Sequence, residues 1–444
     1  MANIRNERLL KLLLAAVTAL FLVSACLVRS RVLVDASLMP RYAATALLLA
    51  IVMMAMPKFR LGRPAFLLAI LIALWYAWNL LSALWSVAPA ETLVQAQLIL
   101  TGLAVFLTAG SLDISFNRFR KVFLAVFPGV LAFSFFLAFR RMAALEFFDP
   151  YRLVALSANN NLYAGFLLLS LPLLFAGYSG ASGWQKYLWV SGAAMTVFFL
   201  VILQSRAAYL GMLLAVLVSS VFMVRFYRNK LTRQNLVAVG VALFLVGAGL
   251  VIFHASLDPP RRAYFLNKIA VWNYFRTYTT PGTDSLFRTG HHRIAANTDR
   301  AEFDFSEAYH ENAGMRMIFW RKSLCLIAQH PLAGVGAGNW RLNIPSCKEP
   351  PNPEHTARNF TYSQPHNEWV AFTSELGIIG LALTLLLFLG APVAVLWRSM
   401  ESHGNLPVTT MLSAAFLAGF WLYASFDFPL HRVEHNVVLF ILLA

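Results

Sequence analysis

An imidazole followed by an amide, His366-Asn367, stands where the long polar stretch of the chain, about residues 255–365, gives way to a strongly apolar run leading to Trp397. Junctions of this kind mark places where a chain enters a membrane. A free imidazole titrates near pH ~6.5, so at such a boundary it can accept a proton from a hydroxyl. The same residue also suits a plain anchor at a helix end, because its ring tolerates the interface. What gathers on the same side of the membrane decides between the two.

Arginines gather there. Gln204-Ser205-Arg206-Ala207-Ala208-Tyr209-Leu210-Gly211 is the whole connection between two apolar runs, which leaves Arg206 close to hydrocarbon. A guanidinium so placed is costly unless it meets an anionic ligand or a lipid phosphate. Arg316 lies one turn ahead of Trp320 in a segment, residues 314–329, whose Met315, Ile318, Phe319, Leu324 and Ile327 predict one apolar helix face. Arg321 follows Trp320, and Arg152 sits in another short connection. Two guanidiniums converging on one cleft suit a diphosphate, because each planar fork holds oxygens bidentately and offsets charge that grows as a phosphate leaves. Ser157-Ala158-Asn159-Asn160-Asn161 opens a further apolar run. Its asparagines fit helix capping and sugar binding alike, with at least one expected to cap. These residue types point to a phosphate-activated donor and a hydroxyl acceptor.

The elements that must position them are membrane helices. Of 444 residues 59% are hydrophobic and 13% charged, and the mean hydropathy is +0.64, which specifies an all-α polytopic membrane protein. Apolar runs fall at about 12–28, 42–57, 65–86, 92–110, 122–139, 162–178, 187–203, 207–224, 236–254, 367–396 and 407–427, with a short last one from 433. All but the last are near the length that crosses ~30 Å of hydrocarbon, the pair around Arg206 being on the short side, which gives about 12 transmembrane helices with the last one short. Val23-Ser24-Ala25-Cys26 resembles a lipoprotein cleavage site, but a first membrane helix is the favoured reading. Threading from a cytoplasmic N-terminus puts Lys58, Arg60, Arg63, Arg118, Arg120, Lys121, Lys186, Arg225, Arg228, Lys230, Arg233 and Arg398 inside. His366, Arg206, Arg316, Arg140, Arg141 and Arg152 then fall outside. The chain divides into membrane helices 1–9 in residues 1–254, an external segment in 255–366 and helices 10–12 in 367–444.

Other classes fit less well. The net charge of +16 is dispersed in short clusters between apolar runs, which suits topology and lipid surfaces rather than nucleic acid. Cys26, Cys325 and Cys347 match no zinc spacing, and no P-loop or dinucleotide fingerprint occurs. Gly334-Val335-Gly336-Ala337-Gly338 lacks a following Lys-Ser/Thr and reads as a turn. Whether Cys325 and Cys347 pair is open at this stage, as is whether the charge-balanced stretch 257–312 closes over the site as a lid. A lipid-linked glycan transporter would need polar residues through the bundle, and Asn79, Gln95, Gln97 and Glu375 are the main candidates.

Three elements carry a family resemblance. His366-Asn367, nine residues, Gly377, two residues, Gly380 resembles the signature of the O-antigen ligase and polymerase superfamily. Ser205-Arg206-Ala207-Ala208 is similar to its Ser-Arg-Gly-Ala element, with alanine in place of the usual glycine. Met315-Arg316, Trp320-Arg321 and His330-Pro331-Leu332-Ala333-Gly334-Val335-Gly336 resemble the family stretch ahead of the histidine, and the likeness spans about residues 80–430. The resemblance implies a GT-C-like membrane glycosyltransferase with one large periplasmic segment, in the bacterial inner membrane. It also implies metal-independent, inverting transfer of a glycan from undecaprenyl diphosphate, with no metal or cofactor. His366 falls on the family's base and Arg206 and Arg316 on its diphosphate-binding arginines, while Arg152, Asn161, Arg321 and Asn367 are further candidate substrate contacts. The single long external segment favours an O-antigen ligase that uses lipid A-core as acceptor. An O-antigen polymerase and a protein O-oligosaccharyltransferase are the alternatives on the same donor.

Overall fold

The computed structural model describes residues 16–17, 19–20, 23–28, 38–55, 61–116, 119–144, 150, 153–227, 233–257, 305–347, 364–390, 392–394, 397, 401 and 407–444. Its helices in chain order are α1 (Leu38–Ala55), α2 (Arg63–Leu81), α3 (Pro89–Phe116), α4 (Phe119–Ala143), α5 (Asn160–Gly180) and α6 (Gln185–Ile202). They continue as α7 (Arg206–Phe222), α8 (Arg233–Ser256), α9 (Phe305–Gln329), α10 (Glu368–Leu385), α11 (Val408–Ala424) and α12 (Val433–Leu443). Among the described residues there is no strand, and seven helices, α2 to α7 and α10, are long and apolar enough to cross a membrane. Shorter apolar helices accompany them in α1, α8, α11 and α12. The chain is an all-α polytopic membrane protein. The predicted lid segment lies outside the described residues over 258–304, as do Arg152 and parts of the first predicted span.

α5 runs through the middle of the bundle and is buried without interruption over residues 162–174. α7 and α11 meet at glycines: a Cβ on Gly211 would lie 2.4 Å from the Gly419 oxygen, and one on Gly419 would lie 2.2 Å from the Gly211 oxygen. Close backbone approach of this kind is how apolar helices gain contact when hydrocarbon supplies no hydrophobic drive. Several helix ends are then tied together on one side. Asn160 Nδ2 donates to Leu203 O at 3.1 Å, the Tyr423 hydroxyl to Asn161 O at 2.9 Å, and His435 Nε2 to Leu162 O at 2.8 Å. A fully buried Arg41 pairs with Glu434 at 3.0 Å and also donates to Leu156 O, drawing α1 and α12 to the same end.

Two sequence expectations need correction. α10 is broken: Gly377 adopts φ 66, ψ −168, where a continuous helix was expected. The turn after α9 fills the break. Ile378 N donates to Pro331 O (2.9 Å), Val335 N to Ser374 O (3.0 Å) and Gly336 N to Glu375 O (2.8 Å). Glycine is required on both sides, since a Cβ on Gly377 would lie 2.1 Å from Leu332 O and one on Gly334 2.3 Å from the Glu375 carbonyl carbon. The glycine run is therefore a turn, as expected, and what it holds is the backbone of α10. The second correction concerns α9, which begins at Phe305 rather than near residue 314, and whose buried face is Phe319, Ser323 and Leu326, with Leu324 60% exposed. Ser323 occupies an inward position because Trp340 Nε1 donates to its Oγ at 2.8 Å, and a polar residue there hid the true face from the apolar count.

The open question about the cysteines is answered: Cys325 and Cys347 form a disulfide with Cα atoms 6.0 Å apart, which closes the docking turn into a loop. Cys26 is the free, buried thiol. Maleimide labelling of denatured protein should therefore modify one cysteine before reduction and three after it. Three labelled without reduction would contradict the bridge.

Candidate functional site

His366 immediately precedes α10 and holds a left-handed backbone, φ 55. The strain is local, because Asn367 caps the helix with its Oδ1 accepting from Val370 N at 3.1 Å. That bond uses the Asn367 oxygen and leaves its Nδ2 donors outside the cap. The His366 ring is 34% exposed, with Nδ1 buried and 3.7 Å from Oδ1 of Asp427, which is 1% exposed. Phe428 packs edge-on against the ring at 4.9 Å. With Nδ1 enclosed, the accessible edge is the one bearing Nε2. At 3.7 Å the carboxylate acts on the imidazole as a charge rather than through a formed hydrogen bond.

Asp427 was not singled out from sequence, and several contacts fix the turn that carries it. Its Oδ1 accepts from Phe428 N at 2.9 Å. Glu368, fully buried as the first residue of α10, accepts from Leu430 N at 2.7 Å, and Asn436 Nδ2 donates to Leu430 O at 2.7 Å. Trp369 Nε1 donates to Ser425 Oγ at 3.0 Å. Desolvation, ahead of the neighbouring Arg432 charge, pulls His431 down to about 4. Its ring is thus neutral at physiological pH, and its Nδ1 accepts from Gln364 Nε2 at 3.4 Å. The residues before His366 and those after Asp427 are fastened to each other on both sides of the imidazole.

α9 approaches from the polar side. Trp320 Nε1 donates to Pro365 O, the carbonyl next to His366, at 3.0 Å, and its ring meets Phe426 at 6.3 Å. Arg316, one turn earlier and half-buried, lies within electrostatic reach of the Tyr423 hydroxyl. Tyr423 in turn binds Asn161 O, and Asn160 binds Leu203 O, three residues ahead of Arg206. Arg206 opens α7 behind the Ser205 cap, whose Oγ accepts from Ala208 N at 3.5 Å. The structure thus brings His366, Arg316, Asn161 and Arg206 to one end of the bundle. Arg321 is exposed, one residue round α9 from Trp320, and among the described residues no contact ties it to this group. The capping asparagine of α5 is Asn159, which accepts from Leu162 N at 2.8 Å. Asn161 contributes its carbonyl rather than its side chain to the framework.

The constellation places a proton acceptor with one protected nitrogen and one accessible nitrogen beside a buried carboxylate, at the end that also carries two guanidiniums. Such a group can take a proton from a hydroxyl while the carboxylate stabilises the cation formed. Glu375 is uninvolved, as its position nine residues beyond His366 implies, since it accepts from Trp340 N at 3.1 Å. A signal that could have found Asp427 is its placement between two apolar runs, where an ionisable side chain is costly without a purpose.

Compared with known families, residues 191–385 match the family model described as O-antigen ligase. Arg206, Arg316 and His366 all fall within that segment. No curated protein matches the chain.

The framework around His366 predicts the behaviour of one substitution. Glu368→Ala strips the acceptor from the Leu430 amide and leaves a buried donor, at a cost of about 1–3 kcal/mol. Hydrogen exchange at Leu430 should accelerate markedly while amides of α5 keep their protection. Unchanged exchange at Leu430 would show that the turn is held by other contacts.

Proposed function

We propose that this chain, whose residues 191–385 match the O-antigen ligase family model, is the enzyme that transfers O-antigen glycan from undecaprenyl diphosphate to a hydroxyl of lipid A-core. It works in the bacterial inner membrane with its site on the periplasmic face. The observation that carries the reading is the His366 imidazole, whose Nδ1 is buried 3.7 Å from Asp427 and whose other edge is accessible. Support for the donor comes from Arg206 and Arg316 at the same end, because paired planar forks match a diphosphate. Support for lipid A-core as acceptor is the single long polar connection between α8 and α10. The transporter alternative is disfavoured because the polar side chains named for it cluster near that end: Asn79 stands two residues from the end of α2, and Glu375 lies in the second turn of α10.

In the proposed reaction the acceptor hydroxyl oxygen attacks the anomeric carbon as the bond to the diphosphate oxygen breaks. One displacement of this kind inverts the anomeric centre. His366 Nε2 takes the hydroxyl proton, Asp427 stabilises the imidazolium and holds the tautomer that leaves Nε2 free, and Arg206 and Arg316 carry the charge developing on the departing lipid diphosphate. The group transfer balances, with undecaprenyl diphosphate and the proton as the products beside the glycosylated acceptor.

In reconstituted membranes with lipid-linked glycan and lipid A-core, His366→Ala should abolish transfer yet keep donor binding, and retained transfer would remove its role. Arg206→Lys and Arg316→Lys should each lose most activity, since a point charge does not copy the fork. Asp427→Asn should lower turnover by about 10²–10⁴ with little change in donor affinity. A drop in affinity alone would make Asp427 a binding residue. Growth of glycan on its own carrier, without lipid A-core, would identify a polymerase instead.

A further inference from the structure

Among the described residues three non-glycine positions have a left-handed backbone: Ala155 (φ 37), Gln204 (φ 53) and His366 (φ 55). All three lie at the end of the bundle that holds the candidate site, and each comes shortly before a helix-capping residue there. Residues with a side chain are held in this region only where the surroundings impose it, and such positions cluster at ligand sites. Gln204 carries a second peculiarity. It is 3% exposed, yet neither its Nε2 nor its Oε1 has a hydrogen-bond partner among the described residues. Ser157, also 3% exposed, has an Oγ in the same condition. The hydrogen bond from Asn160 Nδ2 to Leu203 O joins the two segments that carry these groups.

Burying a donor and an acceptor unsatisfied is unfavourable, and an amide at this position contributes nothing to packing that an apolar side chain of the same length would not. The groups become intelligible if a ligand completes them. Gln204 stands two residues before Arg206, so a ligand that meets both is joined to, or adjacent to, the anion held by the guanidinium. A diphosphate offers only acceptors and would leave Oε1 unpaired. A sugar offers both kinds of group, in a pair of neighbouring hydroxyls or in an acetamido substituent. In the donor the first sugar is bonded directly to the diphosphate.

We propose that Gln204, assisted by Ser157, forms a sugar-reading subsite that binds the hydroxyl or acetamido groups of the saccharide attached to the lipid diphosphate. Gln204 is then a specificity-determining residue for the donor, beside Arg206, which holds the phosphates. This inference rests on the donor assigned under the proposed function.

The test uses the full chain in lipid nanodiscs and the variant Gln204→Met, which keeps length and removes both polar atoms. Three quantities are measured: the thermal midpoint without ligand, the affinity for undecaprenyl diphosphate, and the affinity for undecaprenyl diphosphate bearing one N-acetylhexosamine. The midpoint should rise, because an unsatisfied buried amide is removed. Affinity for the glycosylated lipid should fall at least about tenfold, while affinity for the bare lipid diphosphate stays the same. Ser157→Ala should shift the glycosylated lipid in the same sense by a smaller factor. A lower midpoint or a failure of Gln204→Met to fold would show that the amide is held by the protein, which overturns the proposal. Equal loss for both lipids would assign Gln204 to the diphosphate, and no loss for either would make it a buried defect; both results overturn the sugar-reading role. Wild-type protein that binds neither lipid would overturn the donor reading together with this inference.

Discussion

A pair of buried carboxylates joins the start of α10 to the turn between α11 and α12, and the placement of His366 depends on that joint. Glu368 holds the turn through Leu430 N at 2.7 Å, and Asp427 on the same turn faces the imidazole at 3.7 Å. Carboxylates are costly to bury, so each needs a partner whose removal would be felt. Glu368, at the start of α10, finds its partner in the Leu430 backbone amide of the turn. Asp427 has the Phe428 amide and an imidazole that it can stabilise once protonated. The strained backbone of His366 persists because Trp320, Asn367 and the Asp427 turn fix it from three directions.

The same end is made rigid by backbone interleaving. The turn after α9 sits in the break of α10 at Gly377, and the disulfide between Cys325 and Cys347 closes the loop that carries the turn. Asn339 extends the connection to α3 by accepting from Ala88 N at 2.8 Å and donating to Thr92 Oγ1 at 2.9 Å. α9 is thereby fastened to membrane helices at its C-terminal end, with Trp320 bonded beside His366. Arg316 is thus presented from a braced helix and Arg206 from the first turn of another, α7, which α11 grips at the Gly211–Gly419 contact. Rigid presentation matters for a group that must meet a developing charge, because the donors then need no rearrangement as the bond breaks.

The membrane helices were legible because hydrocarbon leaves the chain so little choice: long apolar runs must be helical there. The grouping of Arg206, Arg316 and His366 at one end also followed from sequence, since an alternating path through a bilayer fixes which connections share a side. Three things were hidden. The break at Gly377 lies inside an apolar run that reads as one helix, and only the partner turn, far off in sequence, makes a left-handed residue favourable there. Asp427 sits in Ser425-Phe426-Asp427-Phe428-Pro429, where no spacing links it to the histidine and only the return of α11 brings the two together. Arg41 and Glu434 stand at the heads of two apolar runs near opposite ends of the chain, and each looks like an isolated interfacial charge until the fold pairs them at 3.0 Å. Side-chain pairing across large sequence separations leaves no periodic trace for a single sequence to show.

The central claim is that two guanidiniums and one imidazole serve a single lipid diphosphate at this end of the bundle. Electron cryomicroscopy of the chain in nanodiscs with bound undecaprenyl diphosphate tests it most directly. The account predicts density for both phosphates between Arg206 and Arg316, with the Nε2 edge of His366 facing the terminal phosphate. A diphosphate seated at the opposite end of the bundle, or held at this end without either arginine, would contradict it.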